Sequence, residues 1–299
     1  MLSHCVYVVG AFSPFSRTHN INTSPPQELY RWDVVAEASR IALKLRYRLL
    51  PHLYTLFYLA HTTGTTVQNA LWLYYSDDIN TLSRDGQYMW SNSLLFTPVL
   101  QEGASSVVGY FPKGIWYAMF LNHMVDVRSQ GTLVTLETPI NITNVHLRGG
   151  VILPLQEAAM TSLEARKTPF SLILALDSHY TASGSLFIDN GTQIEISEFT
   201  FVNYIVESSV LTSAIRHDSS FTPETSEIDT ISILVPETVS AASCDGIFRL
   251  TSSGANTTSG MKHANVFVYR DFFKAVFNVE KEVRIDDNFR FEWNCESLQ

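Results

Sequence analysis

The chain has 299 residues, of which 45% are hydrophobic and 16% are charged, and its formal net charge is −9. This hydrophobic content supports packed cores and argues against a disordered chain or a coiled coil. The acidic balance argues against nucleic acid or an anionic membrane as a partner, because both require a basic surface. A chain of this length has room for two or three domains.

Cysteines and histidines give no sign of a metal site. Cys5, Cys244 and Cys295 lie far apart without a CxxC spacing, and the nine histidines are scattered. Cys244 with Cys295 is the natural pair in an oxidising compartment, but the sequence alone does not fix a disulfide. Serine-hydrolase, dinucleotide-binding and P-loop motifs are absent as well, so we expect no metal and no cofactor.

The sequence contains no apolar run long enough to span a bilayer. Residues 1–9 lack the basic region and cleavage site of a signal peptide, and residues 6–12 are predicted to form a short strand. Four glycosylation sequons are compatible with a secretory or lysosomal protein without establishing one. They begin at Asn22, Asn141, Asn190 and Asn256.

A long helical segment is predicted from Trp32, because apolar residues recur every three or four positions and so share one face. These residues are Val34, Ala38, Ile41, Leu45, Leu49, Leu53, Leu56 and Ala60. Pro51 lacks a backbone donor and clashes with the preceding turn. We therefore expect either a kink there or one helix ending near Leu50 and another beginning at Pro51.

From Thr65 onward the pattern is typical of short β-strands, including one at residues 71–75, separated by Asp, Asn, Gly and Ser. Asn190-Gly191 predicts a hairpin whose second strand returns at residues 193–196. The polar segments 208–226 and 251–260 are predicted to be loops. One strand and a long helix, followed by β-blocks, leave no room for the eight βα units of a complete barrel.

Two pairs of adjacent carboxylates could in principle act on a glycosidic bond, which needs one acid and one nucleophile or base. They are Asp77-Asp78 and Asp286-Asp287. Adjacent side chains of a strand point to opposite faces, so neither pair would converge on a sugar. We interpret both pairs as solvated turns.

His19 is the candidate for substrate contact. It opens a loop after the predicted strand, with Thr18 and Asn20 beside it. Loops that follow strands carry functional residues more often than cores do, and an imidazole can donate to a sugar hydroxyl. The alternative is an ordinary loop histidine.

Residues 10–20 resemble the pattern G-A-F-x-P-F-x-R-x-H-N of glycoside hydrolase family 31 α-glucosidases. The resemblance continues in residues 46–57, which are similar to the helix closing the catalytic barrel of that family. Segments similar to its β-domains follow at residues 96–100, 110–117, 146–156, 184–191 and 291–295. In the family the histidine of the first pattern lines the glucose pocket, which gives that role here to His19, while Arg17 is expected to anchor the loop.

The resemblance implies a mainly β fold with one long helical segment. We expect the C-terminal end of a (β/α)8 barrel followed by two antiparallel β-sandwich-type domains. The expected barrel end covers residues 1–68 with the last strand, loop and helix. The proximal β-domain would cover residues 69–154 and the distal β-domain residues 155–299.

The implied activity is retaining hydrolysis of terminal α-1,4-linked glucose from malto-oligosaccharides or glycogen. In the family the two catalytic aspartates precede the segment that begins at Gly10, so we expect this chain to be a C-terminal third with no catalytic residue of its own. It would need the N-terminal part of the barrel for activity. The implied partner is an α-glucan or oligosaccharide substrate, and the implied location is lysosomal or secreted and lumenal.

Two alternatives remain open. A non-catalytic carbohydrate- or protein-binding β-module would present an exposed aromatic row, for which Trp72, Trp90, Trp116 and Tyr117 are available. An inactive pseudoenzyme would explain two departures from the family pattern. Asn69 stands where the family usually has arginine, and Ala118 stands where it usually has aspartate.

Overall fold

The computed structural model describes residues 10–17, 19–218, 221, 225–237, 242–252, 255–258, 260–279 and 283–297. The chain divides into two compact units. The first unit comprises Met1–Tyr47 and Gly64–Arg148, and the second comprises Arg48–Thr63 and Gly149–Gln299. Cys5 and residues 6–9 of the predicted first strand lie outside the described residues, and residues 10–12, the rest of that prediction, form a turn instead of a strand.

The first unit begins with a turn and a helix. A 3-10 helix at Leu29–Arg31 precedes helix α1, Asp33–Arg48. The buried face of α1 consists of Val35, Ala38, Ser39, Ala42 and Leu45. The predicted face is therefore wrong at its start, since Val34 is 50% exposed and Val35 takes its place.

The sheets of the first unit are antiparallel. Its strands are β1 Gln68–Asn69, β2 Tyr88–Trp90, β3 Leu94–Thr97, β4 Ser106–Phe111, β5 Gly114–Ala118, β6 Met124–Val127, β7 Thr132–Glu137 and β8 Asn144–Arg148. Six of them form a sheet in the order β1-β2-β3-β8-β5-β6, and β4 pairs with β7. Residues Leu71–Leu73, predicted as part of a strand, form a 3-10 helix, as do Ile79–Thr81. Alternating apolar residues fill a core that includes Met89, Leu95, Phe111 and Trp116.

The second unit begins with helix α2, Leu50–Thr63. The structure thus has two helices around Pro51 rather than one kinked helix, and proline at the first turn of α2 costs no hydrogen bond. The Thr55 hydroxyl accepts a hydrogen bond of 3.0 Å from the backbone N–H of Phe187. That contact ties α2 to the sheet of its own unit.

The sheet of the second unit has twelve strands. They are β9 Val151–Gln156, β10 Phe170–Ala175, β11 Ala182–Asp189, β12 Phe199–Glu207, β13 Val210–Asp218, β14 Ile228–Val235, β15 Ala242–Ser252, β16 Ala255–Thr258, β17 Lys262–His263, β18 Asn265–Val268, β19 Phe273–Asn278 and β20 Phe289–Ser297. The order is β16-β15-β20-β13-β12-β11-β9-β10-β14-β19-β18, with β17 beside β15. A short helix α3, Ser162–Ala165, connects β9 to β10.

The prediction of a mainly β chain is confirmed, but the pairing is not antiparallel throughout. Strand β10 runs parallel to β14, and β11 runs parallel to β9. The other pairs of the described sheets are antiparallel. Two parallel strands need a longer connection than two antiparallel ones. Neither the composition nor the alternation of apolar residues reveals which of the two pairings forms.

One strand prediction and two loop predictions in this unit are wrong. Residues 193–196 do not return as a strand, because the side chains of Asn190 and Gln193 bind backbone N–H groups of the loop, and β11 pairs instead with β12. The segment 208–226 contains strand β13, and the segment 251–260 contains the end of β15 and all of β16. Ser208 and Ser209, with φ of 51° and 59°, form the two-residue turn between β12 and β13.

Cys244 and Cys295 form a disulfide between β15 and β20, where the two residues are direct register partners. The structure therefore contains the pairing that the sequence left open.

Candidate functional site

The loop that carries His19 begins with four consecutive backbone carbonyl groups that each accept a hydrogen bond from a side chain. Arg46 of α1 donates to the carbonyl oxygens of Ala11 at 2.7 Å, Ser13 at 2.6 Å and Pro14 at 3.1 Å. The indole Nε1 of Trp90 on β2 donates to the fourth, that of Phe12, at 2.7 Å. We call these four bonds the carbonyl clamp. They satisfy acceptors that a tight, partly buried turn leaves unpaired.

The Phe12 side chain adds an apolar anchor to the same turn. Phe12 is 0% exposed, and its ring lies 5.1 Å from the ring of Phe96 and 6.3 Å, edge-on, from that of Trp90. Burying a phenylalanine contributes roughly 1.5–3 kcal/mol. Side chain and backbone of this turn are therefore fixed by the same neighbours.

His19 itself lies in the exposed part of the loop. Its carbonyl oxygen accepts a hydrogen bond of 2.7 Å from the Gln27 side chain, and Asn20 Nδ2 donates to Pro25 O at 2.9 Å. Asn20 Oδ1 accepts from the Ile21 N–H at 2.9 Å. These bonds close residues 19–27 on themselves and leave the imidazole at the surface.

The guanidinium of Arg46 is partly desolvated. Burial lowers its pKa, and the nearby Tyr88 and Tyr47 oppose that shift. The three carbonyl acceptors compensate for lost water around a charge that remains on the side chain, because arginine is effectively always protonated. Arg17, which the sequence analysis expected to anchor the loop, is exposed, and that role falls to Arg46 among the described contacts.

The carboxylate pair Asp77-Asp78 lies in a turn of the first unit. Asp77 is exposed, while Asp78 accepts hydrogen bonds from Tyr110 Oη at 2.6 Å and from the Asn80 N–H at 3.1 Å. Burial would raise the pKa of Asp78, but these hydrogen bonds outweigh it and lower the pKa. Asp78 therefore caps a 3-10 helix and binds Tyr110, which is a structural task.

The pair Asp286-Asp287 lies in a turn of the second unit. Arg284 binds both carboxylate oxygens of Asp286, at 3.1 and 3.0 Å. Asp287 accepts from the backbone N–H of Arg284, and burial raises its pKa. Both carboxylate pairs therefore lie in turns and bind neighbouring groups. Asp286 differs from the predicted solvated carboxylate, because it forms an ion pair with Arg284.

A buried carboxylate that the sequence analysis did not single out is Asp189, at the end of β11. It is 1% exposed, accepts a hydrogen bond of 2.9 Å from Tyr54 Oη and one of 2.8 Å from the Gly191 N–H, and lies 3.6 Å from Arg166. Burial, followed by the bond to Asp189, raises the pKa of Tyr54 to about 12. The surroundings of Asp189 are complete without a ligand.

The aromatic row expected of a binding module is not formed by its four candidates. Trp90 and Trp116 are 0% exposed and Tyr117 is 1% exposed, whereas Trp72 is 45% exposed. Three of the four thus serve the core of the first unit. Asn69, which stands where the family usually has arginine, is hydrogen-bonded locally. Its side-chain amide donates to the carbonyl oxygen of Thr66 at 3.0 Å.

Within the described ranges, no helix is long and apolar enough to cross a membrane. The same ranges contain no group of three or more His, Cys, Asp or Glu side chains that could hold a metal ion.

Comparison with known proteins gives two family matches. Residues 4–56 match the glycosyl hydrolases family 31 TIM-barrel domain, and residues 64–153 match the glycosyl hydrolase family 31 C-terminal domain. Lysosomal alpha-glucosidase of Mus musculus is 43% identical over 226 residues, which cover 68% of this chain and 23% of that protein. Alpha-glucosidase of Hordeum vulgare is 44% identical over 187 residues, which cover 62% of this chain and 21% of that protein.

Solved structures support the same relationship at the level of the fold. A Glc1Man2-bound glucosidase II alpha subunit superposes with a TM-score of 0.84 at 23% identity, covering 97% of this chain and 33% of the other. These matches place the chain among the glycosyl hydrolases. Within them it belongs to family 31, and it spans about a quarter of the length of the curated relatives that it matches.

Proposed function

We propose that this chain is the C-terminal part of a retaining α-glucosidase that releases terminal α-1,4-linked glucose from malto-oligosaccharides or glycogen. The sequence relatives that carry the name alpha-glucosidase support the activity. The proposal assigns residues 1–68 to the end of the catalytic barrel, residues 69–154 to the proximal and residues 155–299 to the distal β-domain. The barrel-domain match at residues 4–56 supports the first assignment.

The observation that carries the proposal is the position of His19. Its imidazole lies at the surface of a loop whose first residues are held by the carbonyl clamp and by the buried Phe12 ring. A fixed loop with an exposed hydrogen-bonding side chain can bind a sugar hydroxyl with little loss of conformational entropy. We assign His19 to the sugar bound at the cleaved end of the substrate.

The nucleophile and the acid/base belong, in this proposal, to the remainder of the barrel and not to this chain. The two adjacent carboxylate pairs are engaged in turns, and Asp189 is enclosed by its own partners. Exposed apolar side chains in the barrel segment support a missing covering layer, because extensive exposed apolar surface marks an interface. They are Phe15, Ile21, Tyr30, Trp32 and Val34.

The test is an assay of the protein with its complete barrel. We expect hydrolysis of maltose and maltotriose, with α-glucose as the first anomer in the proton NMR spectrum, because two displacements retain configuration. His19→Ala should lower kcat/KM by about ten- to hundredfold, the value of one hydrogen bond to a reacting sugar. His61→Ala, which removes an exposed histidine from the end of α2, is the control.

An inactive full-length protein would favour the pseudoenzyme alternative. Activity with β-glucose as the first product would exclude the retaining mechanism. Activity that His19→Ala leaves unchanged would remove His19 from the pocket and leave the enzyme class intact.

A further inference from the structure

We propose that Arg46 and Trp90 act as positioning residues for substrate binding, because together they fix the loop that presents His19. The inference rests on the proposed function for its consequence in catalysis. Its structural part, that the carbonyl clamp sets the conformation of residues 10–17 and 19–27, stands on contacts within the first unit.

The four hydrogen bonds of the carbonyl clamp are made to four consecutive carbonyl groups. The carbonyl groups of residues 11, 12, 13 and 14 accept hydrogen bonds from just two side chains, so reorienting any of these four groups breaks a hydrogen bond. The Ser13 N–H also donates to Gly10 O at 3.1 Å. A guanidinium presents several donors in one rigid plane, which suits a set of carbonyl oxygens turned toward one point.

The two donor side chains, those of Arg46 and Trp90, are themselves held in place. Trp90 is 0% exposed and contacts the rings of Phe12 and Phe96. Arg46 projects from the last turn of α1, near Tyr88. Precise placement of a binding group requires rigid support of this kind, and a displacement of about 1 Å can cost about a hundredfold in rate.

The carbonyl clamp and His19 lie close together along the chain. Only residues 15–18 separate the last clamped carbonyl from His19, and on its other side the loop is closed by the Gln27 and Asn20 bonds. His19 is thus placed between two fixed points. Releasing the first point is expected to enlarge the set of positions that the imidazole samples.

Trp90→Phe and Arg46→Lys are the test variants. The phenylalanine retains an aromatic ring against Phe12 and removes the N–H donor together with part of the indole, while the lysine retains the charge and removes the planar set of donors. The loss of ring volume is the same in the control Trp116→Phe. Trp116→Phe is a matched control, because Trp116 is equally buried but donates to Pro112 O at 2.9 Å, outside the loop. Arg40→Lys, at an exposed position of α1, is the control for Arg46.

The first measurement is amide hydrogen exchange at Ser13, Ile21 and Ser24, whose N–H groups are bonded within the turn and the loop. Both test variants should accelerate exchange by about tenfold or more at all three amides, since local opening becomes less costly. The controls should not. Acceleration confined to Ser13, or equal acceleration in Trp116→Phe, would overturn the inference.

The second measurement is a double-mutant cycle on kcat/KM in the protein with its complete barrel. Trp90→Phe should lower kcat/KM by about tenfold when His19 is present and by less than about twofold in the His19→Ala background. An equal loss in both backgrounds would show that Trp90 does not act through His19 and would overturn the proposal.

The two measurements separate the possible failures. If His19→Ala leaves the kinetics unchanged, the substrate role of His19 fails, and hydrogen exchange alone then decides whether the clamp fixes the loop. If exchange at Ile21 and Ser24 is unchanged in both test variants while His19→Ala is impaired, the clamp inference fails and the proposed function stands.

Discussion

At the scale of single residues, the buried carboxylate of Asp189 is the group whose hydrogen-bond donors we expect to matter most for stability. We predict that Tyr54→Phe lowers the free energy of unfolding by about 1–3 kcal/mol, because it removes one donor from a buried charged acceptor. The phenyl ring would retain the contact with Phe187, whose ring lies 5.5 Å from that of Tyr54. Urea denaturation of wild type and variant measures the difference.

Tyr180→Phe is the matched control for this prediction. Tyr180 also donates to a carboxylate, Glu237, but it is 41% exposed, so solvent can replace the lost bond. Its removal should change the free energy of unfolding by no more than about 0.5 kcal/mol. Equal losses in the two variants would show that burial of Asp189 is not the cause.

The residues of the candidate site differ in how far the sequence could predict them. His19 is predicted from its position after a predicted strand and from a family pattern, and its role stays a prediction. The role of Arg46 and Trp90 was not identifiable, because their acceptors are backbone carbonyls, which leave no trace in the side-chain sequence. From the sequence, Trp90 is expected only to serve as a core residue or a sugar-stacking ring.

At the scale of elements, the disulfide joins β15 to β20 at a sequence separation of 51 residues. A chain-entropy account gives a cross-link of this span a stabilisation of about 4 kcal/mol, by restricting the unfolded chain. We therefore predict that Cys244→Ser with Cys295→Ser lowers the unfolding free energy by up to about that amount. Thermal and urea unfolding, each with and without reductant, measure it.

A control pair is available on the same two strands. Ser243 and Glu296 are exposed cross-strand neighbours next to the disulfide. Replacing both by alanine disturbs the same strands without touching the cross-link. If reductant destabilises this control and the wild type alike but leaves the serine variant unchanged, the loss belongs to the disulfide; if the wild type does not respond to reductant, the prediction is wrong.

Strand prediction succeeded in most segments whose apolar residues alternate, and it missed β13, in which polar residues are buried. Strand β13 was missed because its segment is rich in Ser and Thr and because the Ser208-Ser209 turn lacks the usual Asn or Gly. Ser213 is nevertheless 3% exposed, and its hydroxyl accepts from the Phe289 N–H at 2.8 Å. A polar residue satisfied by a distant strand looks like a loop residue in the sequence.

At the scale of the whole molecule, each unit encloses a buried histidine. His52 lies in α2 and His146 in β8, and burial lowers their pKa values to about 4 and about 3, with His123 contributing for His146. Their charged forms are disfavoured in the folded state, so the folded chain binds fewer protons than the unfolded chain below the ordinary histidine pKa of about 6.5. The resulting stability is fully present above about pH 6.5 and is lost as the pH falls toward the folded values.

His146 makes this prediction testable, because neither ring nitrogen has a hydrogen-bond partner in the described part of the chain. Its ring contacts Phe111 and His123, at 4.8 and 5.6 Å between centroids. Between pH 7 and about pH 4.5, keeping His146 neutral should cost about 2–3 kcal/mol, from roughly two pH units below its unfolded pKa at 1.36 kcal/mol per unit.

His146→Leu should therefore be less sensitive to acid than the wild type, whatever its stability at neutral pH. We predict that its loss of unfolding free energy between pH 7 and about pH 4.5 is smaller by about 2–3 kcal/mol, as measured by urea denaturation at each pH. His61→Leu removes an exposed imidazole and serves as the control. If His146→Leu and His61→Leu both follow the wild-type pH dependence, burial of His146 does not limit acid stability. Because the imidazole is fully buried, a smaller loss in His146→Leu alone would show that the native core around His146 disfavours protonation in acid.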